Sequence, residues 1–83
     1  MNKHADAPLE TLLGPQRAAI LRLLDRPATC GAIAVALLIA PGGVTHHLQR
    51  LEAAGLARRR RRGRDVVVER TRRGGALLAL YER

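Results

Sequence analysis

The sequence predicts a small, mainly α-helical domain with one β-hairpin. Apolar residues recur at helical spacing before Gly55, and the spacing becomes that of extended strands after it. A chain of 83 residues is long enough for a single domain. Such a chain buries only roughly 60–65% of its unfolded surface, so a partner subunit would add to its stability. We expect a flexible tail over residues 1–7 and one domain over residues 8–83.

Three helices are expected in the first part of the chain. A proline opens the first, Pro8–Leu13, because its missing amide hydrogen costs nothing in a first turn, and Gly14 ends it. The second covers residues 15–24, and the third, Cys30–Leu37, follows Thr29 as its N-cap. The third helix carries no charge on any side, which favours central burial over a contact face for another subunit. Composition alone does not separate these two possibilities.

A fourth helix is expected over residues 41–54, between a proline after a tight turn and the stop at Gly55. Val44, Leu48 and Leu51 recur at i, i+4 and i+7 and form one narrow apolar stripe. At about 100° per residue, the opposite side of this helix is small and polar and has no acidic residue. That side has the character of a surface that meets another molecule.

A β-hairpin is expected after the fourth helix. Residues 56–61 and 64–70 have the character of strands, and a turn at Arg62 and Gly63 would join them, because glycine supplies the positive φ of a tight turn. Three consecutive valines, residues 66–68, leave the register of the strands open. Thr71 then caps a last helix. Gly74 and Gly75 weaken the start of this helix, and its end is apolar.

Positive charge is concentrated in the second half of the chain. The formal net charge is +8, and residues 50–83 contain eleven basic residues against four acidic ones. Arginine occupies six of the seven positions 58–64. This asymmetry is typical of proteins that bind nucleic acid and less often of proteins that bind an anionic membrane. Tyr81 is the only aromatic residue, so stacking on single-stranded bases is nearly excluded.

The third and fourth helices, with a short turn between them, form a helix-turn-helix pattern to which the hairpin adds a wing. The expected fold class is therefore a winged helix-turn-helix, whose second helix fits the major groove of double-stranded DNA. On this recognition helix, residues 41–54, the predicted DNA contacts are Pro41, Gly42, Gly43, Thr45, His46, Gln49 and Arg50. In the wing, residues 56–70, the predicted contacts to backbone or narrow minor groove are Arg58, Arg60, Arg61, Arg62, Gly63 and Arg64.

Residues 12–71 resemble the winged helix-turn-helix of bacterial ArsR-type regulators, with MarR-type regulators a close second. The segment VTHHLQRL resembles the recognition-helix pattern, and EAAGL resembles the junction between that helix and the wing. Ala40 and Leu38 depart from the pattern, which usually has serine and glycine there. The resemblance implies a dimeric transcriptional repressor. It also implies a dimer surface on the first and last helices, formed by Leu9, Leu12, Leu13, Leu77, Leu80 and Tyr81.

Few residues suit metal binding or catalysis. Cys30 has no second cysteine beside it, and adjacent His46 and His47 diverge on a helix, so neither pattern supplies the ligands of a metal site. Neither a nucleophile with its base nor a phosphate-binding glycine loop is recognisable. We expect no metal, no cofactor and no enzymatic activity. No residue pattern identifies a small-molecule effector.

The single cysteine and the polar N-terminus favour a cytoplasmic protein. The longest apolar run, residues 30–41, is too short to cross a bilayer, and we expect no membrane partner. Two other functions remain open. The same arginines could contact structured RNA or the ribosome, and the apolar third helix could serve in a protein-interaction module.

Overall fold

The computed structural model describes residues 8–81, which form five helices and a two-stranded antiparallel sheet. The predicted fold class, mainly α with one β-hairpin, is confirmed. The predicted tail over residues 1–7, and Glu82 and Arg83 of the predicted domain, lie outside the described residues. The elements in chain order are α1 (Pro8–Leu13), α2 (Pro15–Leu23), α3 (Cys30–Leu37), α4 (Pro41–Ala53), β1 (Ala57–Arg62), β2 (Asp65–Arg70) and α5 (Arg72–Tyr81).

The core lies where α2, α3 and α4 meet the base of the hairpin. In the described part of the chain, no buried residue is polar or charged. The predicted stripe on α4 is confirmed, since its three residues are at most 1% exposed. The large side chains of this core with less than 2% exposure are Ile20, Leu21, Ile33, Val44, Leu48, Leu51 and Val68.

Short polar residues and glycines delimit the helices as the sequence predicts. The Thr29 side chain accepts a hydrogen bond of 3.1 Å from the Ala32 amide at the start of α3. At the start of α5, the Thr71 hydroxyl accepts one of 3.0 Å from the Gly74 amide. Gly55 follows α4 with a φ of 77°, in the left-handed region that favours glycine. The predicted second and fourth helices each end one residue early.

The hairpin turn lies one residue later than predicted. Arg62 pairs with Asp65, so Gly63 and Arg64 form the loop, and Arg62 is the last residue of β1. Gly63 has a φ of 61°, whereas Arg64 is not among the residues with positive φ. This is the pattern of a type II′ turn, which places glycine at the first central position and thereby shifts the turn from Arg62 and Gly63 to Gly63 and Arg64.

The register of the hairpin separates the three valines. Val68 is fully buried, on the same face of the sheet as buried Ala57. Val66 lies two residues closer to the tip and is 43% exposed. Ala28 extends the sheet beyond β2, because it exchanges two backbone hydrogen bonds of 2.9 and 2.7 Å with Val68. The base of the hairpin is thus anchored in the core, and its far end projects from the domain.

The expectation that α3 is centrally buried is wrong. Ile33 and Ala34 are buried, but Val35 is 76% exposed and Leu38, which follows the helix, is 90% exposed. The reason is that α3 packs mainly against α2 and α4, which cover only one side of it. Leu38 has a φ of 57° and takes the left-handed conformation usually adopted by glycine at this position.

The six residues predicted for a dimer surface differ in exposure. Leu9 has no exposed surface, because the chain itself covers it, and it is therefore not available to a second subunit. This corrects the expectation for Leu9. Leu13 and Leu77 are half-buried against the core. The exposed members of the set are Leu12, Leu80 and Tyr81.

Candidate nucleic-acid interface

The relative orientation of α3 and α4 is that of a helix-turn-helix. Three residues separate the two helices, whose axes are bent by 111° relative to each other. Helix-turn-helix motifs typically have angles of about 90–120°. Ala40 precedes α4 as an N-cap and offers no side-chain hydrogen bond to the amides of the first turn. That turn begins with Pro41, which has no amide hydrogen, and two glycines. The Gly43 amide donates a hydrogen bond of 2.9 Å to the Ala40 carbonyl.

The side of α4 opposite its buried stripe is open to solvent. Thr45 is exposed, and its hydroxyl donates a hydrogen bond of 3.2 Å to the Pro41 carbonyl within the helix. A Cβ atom added to Gly42 or Gly43 would meet nothing within 4 Å. The structure therefore brings the seven predicted recognition-helix residues together, with Gly43 half-buried and the other six exposed. The side chains of His46, Gln49 and Arg50 form no hydrogen bond or ion pair with any described residue.

His47 points toward α2 and away from this open side. Arg17 Nε donates a hydrogen bond of 3.1 Å to His47 Nδ1, which requires that nitrogen to be unprotonated. Burial of the ring lowers the pKa of His47 below its ordinary value of 6.5, and the positive charges of Arg17 and His46 lower it further. His47 therefore belongs to the contact between α2 and α4, and the ring of His46 meets it edge-on at a centroid distance of 5.4 Å.

The arginines at the base of the wing are held by carboxylates. Arg58 Nε lies 2.5 Å from Glu69 Oε2, and Arg60 Nε lies 3.6 Å from Glu69 Oε1. Arg59 points to the other face of the hairpin, where its Nη2 lies 3.1 Å from Glu52 Oε1 on α4. The hydrogen bond from Arg58 is the largest cause of a lowered pKa for Glu69, although burial acts in the opposite direction. Glu69 is consequently ionised at neutral pH.

The arginines at the tip of the wing are free of such partners. Arg61, Arg62 and Arg64 are exposed, and their side chains form no hydrogen bond or ion pair with any described residue. The predicted wing residues thus fall into two groups. Arg58 and Arg60 share the single negative charge of Glu69, whereas the three tip arginines and Gly63 form an exposed cationic end.

Sequence reasoning missed the two carboxylates of this region. Glu69 lies opposite Arg58 only in the observed register, which the run of valines had left open. Glu52 is seven residues before Arg59, and the fold of the intervening junction determines that they meet. No helical or strand spacing indicates either pair.

Other kinds of site find little support in the described part of the chain. Within residues 8–81, no three His, Cys, Asp or Glu side chains are close enough to share a metal ion. By length and hydropathy, no single helix there could cross a membrane. Helices α3 and α4 reach the length and hydropathy of a membrane span only when they are counted together, and a bend of 111° separates them.

Comparison with known proteins agrees with this geometry. A family model described as a helix-turn-helix domain matches residues 12–60. No curated protein has a significantly similar sequence. Among solved structures, the transcriptional regulator BldR from Sulfolobus solfataricus is 28% identical with a TM-score of 0.76. The match covers 81% of this chain and 51% of that one.

Two further structures resemble the chain. A C30S mutant of Lactococcus lactis ZitR, solved in complex with DNA, is 27% identical with a TM-score of 0.71, over 81% of this chain and 51% of that one. The reduced form of the transcriptional regulator YodB from B. subtilis is 21% identical and shares the fold, with a TM-score of 0.78 over 99% of this chain and 85% of that one. The chain thus spans about half the length of the BldR and ZitR chains, 51% in each case.

These solved structures confirm the winged helix-turn-helix class, and the family model covers more than half of the sequence. The chain belongs to the helix-turn-helix domain family.

Proposed function

We propose that the protein is a cytoplasmic transcriptional regulator that binds double-stranded DNA as a homodimer, in the manner of an ArsR-type repressor. The observation that carries the proposal is that one domain presents both the open side of α4 and a wing tip whose arginine side chains are unpaired. Gln49 and Arg50 on α4, and the tip arginines, have exposed hydrogen-bond donors with no partner in the described chain. The solved complex of the related ZitR chain with DNA supports the same partner for this protein.

The two parts of this surface have different roles in the proposal. On α4, Gln49 is suited to adenine, Arg50 to guanine and Thr45 to a thymine methyl group. The open space at Gly42 and Gly43 allows a phosphate to approach the backbone of the first turn. The tip arginines contact phosphates or a narrow minor groove, which strengthens binding without selecting a sequence.

A homodimer would place two copies of α4 in successive major grooves. Helices α1 and α5 lie against each other in the fold. Their exposed apolar residues support a contact with a second subunit at this position. Leu12 is 56% exposed and Leu80 is 73% exposed, and covering both would remove apolar surface from water. The two-fold symmetry of such a dimer predicts a palindromic DNA site with half-sites about 10 base pairs apart.

Selection of bound duplexes from a random pool, at two salt concentrations, tests the function. We expect a palindromic motif that is bound at least about a thousandfold more tightly than random duplex at moderate salt. Folded RNA of equal charge, added as a competitor, should displace the selected duplex poorly. Equal affinity for selected and random duplexes, or efficient displacement by RNA, would exclude the proposed function.

A further inference from the structure

We propose that Glu52 is a positioning residue that fixes the direction of the wing relative to α4. Its consequence for DNA affinity rests on the proposed function, whereas its effect on the free protein does not. Glu52 lies near the end of α4, on the side that the wing approaches, and its carboxylate reaches Arg59 in β1. The pair thus joins the helix proposed to select the sequence to the hairpin proposed to hold the backbone.

Arg59 of β1 pairs with the fully buried Val68 of β2 near the base of the hairpin. On the β2 side, Val68 is held at this level by its two backbone hydrogen bonds to Ala28. On the β1 side, the ion pair between Arg59 and Glu52 is the outermost polar link to the body. The two strands are therefore attached to the body at the same residue pair, β2 by backbone hydrogen bonds and β1 by a side-chain ion pair.

Beyond this level the hairpin has no further polar link to the body. Among the described residues, 60–67 form hydrogen bonds and ion pairs only within the hairpin itself. Every residue from Arg60 to Val66 is exposed. Val67 is still buried, with 7% exposure. The direction of the tip is consequently set by the apolar packing of Val67 and Val68 and by the polar links at Arg59 and Val68.

The ion pair is partly shielded from water, since the Arg59 and Glu52 side chains are 36% and 30% exposed. Shielding of this degree reduces the screening that makes fully exposed ion pairs weak. A carboxylate near a DNA-binding surface repels the phosphates of DNA. Through its charge alone, Glu52 would therefore weaken DNA binding. A Glu52 that fixes the wing also lowers the entropy lost when the wing becomes ordered on DNA.

Glu69 provides the matched contrast. It is the other carboxylate at the base of the wing, but it pairs with Arg58 and Arg60 of its own hairpin. Removing the charge of Glu69 breaks its ion pairs with Arg58 and Arg60 but leaves every contact between the hairpin and the body in place. The substitutions Glu52→Gln and Glu69→Gln therefore remove one negative charge each from the same region, with opposite expected effects.

The test measures both variants in the presence and absence of DNA. For the selected duplex at fixed salt, Glu52→Gln should bind roughly two- to fivefold more weakly than the parent, despite its greater positive charge. Glu69→Gln should bind more tightly and with a steeper salt dependence. Glu52→Gln binding as tightly as the parent, or more tightly, would overturn the proposal.

Backbone ¹⁵N relaxation of the free protein provides the second readout. Order parameters of residues 60–67 should fall from roughly 0.85 toward 0.6 in Glu52→Gln and stay near the parent values in Glu69→Gln. The charge-swapped double variant, Glu52→Arg with Arg59→Glu, should restore them. Unchanged order parameters in Glu52→Gln, or an equal loss in Glu69→Gln, would contradict the role of Glu52. Failure of the parent to bind any duplex would instead contradict the proposed function, and the relaxation result would still decide the role of Glu52.

Discussion

Gly74 of α5 lies directly against the carbonyl oxygen of Leu56. A Cβ atom added to Gly74 would come within 2.2 Å of that oxygen, 2.8 Å of Arg70 Cγ and 3.2 Å of Leu21 Cδ1. The sequence presents Gly74 and Gly75 alike, as residues that weaken the start of the last helix. The structure separates them, because a Cβ atom on Gly75 would find only Arg70 Nε, at 3.9 Å.

Gly74→Ala should therefore destabilise the protein, whereas Gly75→Ala should stabilise it. The first change forces α5 away from the junction after α4, at a cost of about 1–3 kcal/mol in the free energy of unfolding. The second removes the flexibility of a helical glycine and should add up to about 1 kcal/mol. Urea unfolding of both variants measures these changes, and a Gly74→Ala variant at least as stable as the parent would refute the close contact.

Leu38→Gly should stabilise the protein, even though it removes a large apolar side chain. Leu38 is 90% exposed, so little burial is lost, and its φ of 57° is strained for any residue with a Cβ atom. We expect a gain of about 1 kcal/mol in the free energy of unfolding. Leu38→Ala is the control, because it keeps the Cβ atom. If both variants gained equally, the side chain and not the backbone would be responsible.

The contribution of His47 to stability should depend on pH. Burial lowers its pKa in the folded protein below the ordinary value of 6.5, and the positive charges of Arg17 and His46 lower it further. The unfolded chain therefore binds a proton on His47 at a higher pH than the folded one. The contribution is complete above about pH 6.5 and is lost as the pH falls through the folded pKa.

An NMR titration of the His47 ring in the folded protein measures this directly. The midpoint should lie below 6.5, and urea unfolding should reveal a smaller loss of stability on acidification in His47→Gln than in the parent. A midpoint at or above 6.5 would contradict the half-buried, unprotonated role of His47 beside Arg17.

Tip and base arginines should differ in their effect on DNA binding. The Arg62 side chain forms no hydrogen bond or ion pair with any described residue, whereas Arg58 is paired with Glu69 at 2.5 Å. Arg62→Ala should weaken binding to all duplexes and lower the slope of log K against log salt by about one. Arg58→Ala should change the slope less, because Glu69 already compensates part of its charge. Equal changes in slope would show that the ion pair opens when DNA binds.

Much of the fold follows from local features of the sequence. Thr29 and Thr71 cap helices because a short hydroxyl accepts an amide of the first turn, and Gly55 ends α4 because glycine tolerates positive φ. Such features depend on a few neighbouring residues. The open side of α4 follows in the same way from the spacing of Val44 and its buried partners.

The features that could not be predicted depend on contacts between distant segments. The exposure of Val35 depends on how α3 packs, which its uniformly apolar sequence does not reveal. The burial of Leu9 likewise depends on how the rest of the chain covers α1. The pairing of Arg58 with Glu69 requires the register, and the pairing of Arg59 with Glu52 requires the angle between helix and wing.

The central claim is that α4 supplies sequence selectivity and the tip of the wing supplies affinity. Its most direct test is the ratio of affinities for the selected and a random duplex, measured at one salt concentration for the parent, Gln49→Ala and Arg62→Ala. Gln49→Ala should lower the ratio by the equivalent of about 1–3 kcal/mol and relax the preference at one base position. Arg62→Ala should weaken both affinities and leave the ratio nearly unchanged. An affinity ratio that is unchanged in Gln49→Ala and strongly reduced in Arg62→Ala would contradict the account.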